Sequence, residues 1–179
     1  MNSENRPERE AAKRRIMFLA GEDSYFLAYT AILLLSELEC TSPTRALVDP
    51  GKTAYLADFL GSDSDLRLAL TSAKLGHAGR ARLSLLYDRA VARRAPLERL
   101  LEAVARHGLI EVTRASGEAD RIHLLESPRA VALLKDDLFQ GERQRIARLR
   151  RSLSHLRTMN LSTLKDRLFG SHEVRTWGD

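Results

Sequence analysis

The chain holds a single cysteine, Cys40, in 179 residues, so it cannot build an internal disulfide framework or a cysteine-rich zinc site. It has little aromatic content, 6%, and only five prolines. No apolar run is long enough for a bilayer. The longest, Tyr25 to Leu35, reaches about half the roughly 20 residues a spanning helix needs. Glu22 and Asp23 sit just ahead of that run and no small-residue cleavage site follows it, which argues against a secretory signal. A cytosolic location is the expectation.

A glycine-rich phosphate loop is missing too. Gly51-Lys52-Thr53 matches the last three letters of a Walker motif, but Ala46 stands where the upstream glycine is required. The five histidines (His77, His107, His123, His155 and His172) share no i, i+4 spacing that would present two ligands on one helical face. Asp136, Asp137 and Glu142 are explained more simply as a solvated helix end than as a cation site. Cys40 has no basic partner nearby in sequence and reads as a small buried hydrophobe. No catalytic, cofactor-binding or metal-binding residue is expected, and the chain does not read as an enzyme.

What the chain does have is helical periodicity, an apolar fraction of 44% and a formal charge of +5 carried mostly by arginine. That charge permits an acidic partner without requiring one. Tyr25 to about Leu38 predicts a helix apolar on nearly every side, hence a central one. Pro43, capped by Ser42, predicts a helical turn through Leu47. Lys52 to Leu60 predicts a short helix facing Tyr55, Leu56, Phe59 and Leu60 inward, and Ser62 or Ser64 caps another from about Asp65 to Leu75.

The stretch Arg80 to Leu125 organises the rest. Leu83, Leu86, Tyr87 and Ala90 form one helical stripe, and Leu97, Leu100, Leu101 and Val104 form a second. Pro96 suits the first turn of a new helix, and Gly108 suits its end. Two β-prone runs, Leu109 to Arg114 and Arg121 to Leu125, flank a glycine-containing loop and predict a hairpin. Helix, turn, helix and hairpin give the outline of a winged helix. The expected architecture is mostly α: a flexible 1–20, a helical and possibly winged-helix-like 21–79, a winged helix at 80–126 and a helical extension at 127–179. Ser127 to Phe139 and Glu142 to Met159 predict helices within that extension, and Asn160 to Phe169 a short one.

Two basic surfaces are candidates for contact. Arg80, Arg82, Arg89, Arg93 and Arg94 oppose only Asp88, and suit either a non-specific phosphate contact or a solvated face. The second predicted helix of the pair offers Glu98 and Glu102 against Arg99 and Arg106, which gives no net attraction to DNA. In the C-terminal helix, Ile146, Leu149, Leu153 and Leu156 fall at heptad spacing, bordered by Arg143, Arg150 and Arg157. Such a seam either covers the chain's own core or docks a partner with an acidic rim.

Taken together, Lys52 to Leu60, Leu86 to Arg94, Leu97 to Leu125, Leu161 to Gly170 and Val174 to Trp177 resemble the middle components of three-gene bacterial systems built around an ABC-type, SMC-like ATPase, Lamassu anti-phage systems among them. The resemblance implies a non-catalytic winged-helix adaptor subunit. It would bind the ATPase, perform protein–protein interaction with possible DNA binding, and couple DNA sensing to a separate effector nuclease in antiviral defence. The competing expectation is a winged-helix transcriptional regulator that dimerises through its C-terminal helix.

Overall fold

The computed structural model describes residues 24–114, 119–126, 134 and 137–174. Helix α1 covers Ser24–Glu37, strand β1 Leu47–Val48, α2 Lys52–Gly61, α3 Asp63–Leu70 and α4 His77–Arg106. Strands β2 (Ile110–Thr113) and β3 (Arg121–Leu124) follow, then α5 (Gln140–Ser152) and α6 (Leu161–Leu168). Short 3-10 turns lie at Pro43–Arg45, Asp137–Phe139 and Gly170–His172. The protein is mostly helical with one small antiparallel sheet, ordered β1-β3-β2.

Helix α1 buries Leu27 and every residue from Thr30 to Leu35, so no side of that stretch is free for water. It packs on α2, α4 and α5 and is the centre the periodicity predicts. The hairpin also forms as read. Ile110 pairs with Leu124 and Val112 with Ile122, and the inward side chains Ile110 and Ile122 are buried.

Three expectations are corrected. The first concerns Pro96, which does not start a new helix: α4 runs unbroken for 30 residues with this proline inside it. Proline removes one i→i−4 bond and crowds the carbonyl of Ala92. Both residues face solvent, where water can satisfy that carbonyl. Meanwhile Leu83, Leu86, Tyr87, Ala90, Leu97, Leu101 and Val104 all stay buried along one side. The two stripes lie about four turns apart and therefore in phase. Burial of this shared stripe, at about 1.5–3 kcal/mol per large side chain, matches or exceeds the cost of about 3 kcal/mol for an interior proline. No turn separates two helices here.

The second correction is at Pro43. One turn forms, without a side-chain cap from Ser42, and the chain then extends so that Leu47 pairs with Ile122 and Val48 with Arg121. Leu47 is fully buried as a strand residue beneath β3. Two residues carry too little pattern to announce a strand.

The third is the C-terminal helix. It stops at Ser152, where the sequence predicts continuation to Met159. Leu153 leaves helical geometry (φ −113°, ψ 83°), and His155 beyond it adopts a left-handed backbone, φ 63°, so the helix does not resume. The freed carbonyls of Leu156, Arg157 and Met159 are taken by the ammonium of Lys52, at 2.8, 3.2 and 2.6 Å. Leu153 and Leu156 remain buried although the segment has left the helix.

Ser62 accepts from the Asp65 amide and caps α3, as its position suggests, but α3 ends at Leu70. The predicted helix Ser127 to Phe139 lies largely outside the described residues, as do 1–20 and Trp177. Residues of α1, α2, α4, the sheet, α5 and α6 share one apolar core. Among the described residues no helix is long and apolar enough to cross a membrane.

Candidate functional site

The turn Asp49-Pro50-Gly51-Lys52 joins β1 to α2 and holds the segment after α5 at two points. Lys52 binds the three carbonyls named above, and the Asp49 carboxylate accepts from the Leu161 amide at 3.1 Å, capping α6. Lys52 is fully buried, and removal from water pushes its ammonium down to about 8 despite the opposing pull of Asp49. Its charge is therefore engaged on backbone. The Walker-like triplet Gly51-Lys52-Thr53 is a structural clamp, with no lysine free to meet a phosphate.

Cys40 is buried at the end of α1, and desolvation raises its thiol to about 11. A thiol so held is a poor nucleophile. Among the described residues, no three His, Cys, Asp or Glu side chains converge as a metal site.

The α4 arginines divide. Arg82 forks onto Asp65 through Nε and Nη2 at 2.9 and 2.7 Å, and this hydrogen-bonded pairing holds the Asp65 carboxyl below its ordinary range. Arg93 is buried and meets Asp58 at 2.8 Å. Arg80 donates to the Leu75 carbonyl at 3.0 Å and lies 3.4 Å from Glu173. Arg89 is exposed, with Asp65 nearby. Arg94 is half-buried and lines a groove between the second half of α4 and the hairpin. Three of the five guanidiniums are thus spent tying α4 to α2, α3 and the segment after α6.

The groove itself, about 210 Å³, carries Asp49, Glu98, Glu102 and Asp120 against Arg94 and Arg114. Arg114 donates to Glu102 at 2.7 Å and reaches Asp120 at 3.6 Å. The hydrogen bond from Arg114 keeps the Glu102 carboxyl below its usual value, so it is ionised at neutral pH. Four carboxylates against two guanidiniums make this groove repel a phosphate backbone. Its apolar floor is Leu97, Leu101 and Val112.

The C-terminal candidates split by chemistry. Ile146, Leu149, Leu153 and Leu156 are buried in the chain's own core, which resolves the seam in favour of internal packing. Arg143 sits 3.8 Å from Glu37. Arg150 approaches Glu39 at 3.4 Å and donates to the Glu37 carbonyl at 3.2 Å. Arg157, no longer on a helix, borders the same cavity as Arg150. The participants that sequence reasoning missed there are Glu39, Arg45 and His155. Glu39 and His155 have positive φ, and neither residue type announces that in sequence.

Compared with family models, curated proteins and solved structures, the chain matches none.

Proposed function

We propose that this chain is a non-catalytic winged-helix adaptor whose α4–hairpin surface takes a protein partner. That partner, on the resemblance in its sequence, is an ABC-type, SMC-like ATPase of a cytoplasmic anti-phage system that controls a separate effector. The order helix, short strand, helices, long helix and hairpin, with sheet order β1-β3-β2, supports a winged-helix reading. In that reading the second half of α4 takes the place of the recognition helix and β1 supplies the third strand.

The observation that carries the choice of a protein over DNA is electrostatic. Arg82 and Arg93 of α4 are engaged with the inward carboxylates Asp65 and Asp58, while the groove beside the hairpin is acidic around an apolar floor. A basic, partly apolar surface complements it better than a polyanion does.

The test is co-purification. Tagged protein expressed in its native host is expected to retain an SMC-like ATPase, identified by mass spectrometry. Glu98→Arg together with Glu102→Arg is expected to cut that recovery at least tenfold while preserving the circular dichroism spectrum. Undiminished recovery with the folded double variant would overturn the α4–hairpin groove as the docking surface, and recovery of operator DNA in place of an ATPase would favour the regulator instead.

A further inference from the structure

A cavity of about 280 Å³ opens at the β1 edge of the sheet, lined by Leu38, Leu153 and Leu156 on its apolar side and by a cluster of cations around one acid. Glu39 is that acid. Its carboxylate is bound by Arg45 and approached by Arg150 at 3.4 and 3.5 Å through two nitrogens. The Arg45 hydrogen bond, with Arg150 behind it, holds the Glu39 carboxyl below its ordinary range. Arg157 and the imidazole of His155 complete the wall. Among the described residues, no carboxylate or carbonyl pairs with the side chain of either one, and Arg157 is half-buried.

We propose that this cavity is an anion-binding site for a phosphate monoester, with Arg45, Arg150 and Arg157 as its ligands and Glu39 as a built-in competitor. Three guanidiniums against one carboxylate leave two positive charges, which match a phosphate dianion better than a single carboxylate. Guanidinium forks suit phosphoryl oxygens, and the imidazole of His155 adds a further donor. The backbone supports the arrangement from behind: the Val48 amide donates to the Arg157 carbonyl at 3.0 Å, and Lys52 donates to the same oxygen. The main chain of Arg157 is thereby fixed on the edge of β1, which presents its side chain to the cavity. Glu39 occupies part of the anion's place, so an incoming phosphate gains its contacts at the expense of the Arg150 pairing. The site shares no lining residue with the α4–hairpin groove and stands independently of the adaptor reading.

Isothermal titration of the full chain with inorganic phosphate, adenosine monophosphate and adenosine decides the matter. Phosphate and the monophosphate are expected to bind saturably, and adenosine is not. A monophosphate tighter than phosphate places a nucleotide in the cavity; equal affinities identify the free ion as sufficient. Glu39→Gln should tighten binding about tenfold and Arg157→Gln should weaken it about tenfold, each the scale of one charge-assisted contact. Arg150→Gln serves as a second loss variant if Arg157→Gln does not fold. No saturable binding to wild type or to Glu39→Gln would overturn the proposal. So would affinities that Arg157→Gln and Arg150→Gln leave unchanged.

Discussion

Phe169→Ala is expected to lower the unfolding free energy by about 4 kcal/mol, the usual range for an aromatic removed from a close-packed core. Phe169 is fully buried directly after α6. Its ring stands edge-on to Tyr87 with centroids 5.3 Å apart, and meets Phe59 at 5.8 Å and Tyr55 at 6.3 Å. Tyr55 and Tyr87 touch each other at 5.8 Å. This cluster joins α2 and α4 to the C-terminal segment, so truncation costs burial and also leaves a void that three aromatic rings cannot collapse to fill. Phe169→Leu keeps most of the volume and should lose less than half as much. Urea unfolding followed by circular dichroism measures both. A loss below about 1 kcal/mol for the alanine variant would mean that the C-terminal segment is not held by this ring.

Lys52→Met is expected to cost about 3 kcal/mol at pH 7, with a gap to wild type that widens as the pH rises. The thioether matches the lysine stem but strands three carbonyls that had a charged donor. The pH dependence follows from the lowered ammonium. Folded protein releases the proton near pH 8, while the unfolded chain keeps it to about 10.5. Between those values the unfolded state binds more protons, so this group raises stability with pH. At pH 9.5 the gap should have grown by about 2 kcal/mol, at about 1.4 kcal/mol per unit. Cys40 works in the opposite sense: its thiol is raised to about 11, so its share falls as pH climbs from about 9. Cys40 is present in both chains and largely cancels in the comparison. Urea midpoints of the two proteins at pH 7 and 9.5 give the result, and a gap that narrows would show that the ammonium is favoured inside the fold.

Much of the helical framework was legible because its signal is local. The all-round apolar α1, the inward face of α2, the Ser62 cap and the hairpin around Ile110 and Ile122 each rest on a few neighbouring residues. Pro96 misled because a proline at a possible helix start and a proline tolerated inside a long helix look alike until phase is considered. The apolar quartets on either side of it stay in register, and that was the available clue. Strand β1 was invisible since Leu47 and Val48 acquire their role only from β3, more than 70 residues later. The heptad seam was half right. Its leucines and isoleucine do face apolar surroundings, but the periodicity could not say that the chain would leave the helix at Leu153 and offer its later carbonyls to a lysine about a hundred residues earlier. The arginines show the same limit: Arg82 and Arg93 look available in sequence, and only the fold brings Asp65 and Asp58 to them.

The claim on which the functional reading depends is that the α4–hairpin surface is built for protein and not for the phosphate backbone. Fluorescence anisotropy with a labelled duplex, at salt concentrations from about 50 to 200 mM, tests it directly. Neutralising several phosphates would give an affinity that falls about 10³-fold or more over that range. The expected outcome is no saturable binding up to about 100 µM protein at any of these salt concentrations. Micromolar binding with that steep salt dependence, and its loss on Glu98 and Glu102 remaining acidic while Arg94 and Arg99 are replaced by glutamine, would contradict it.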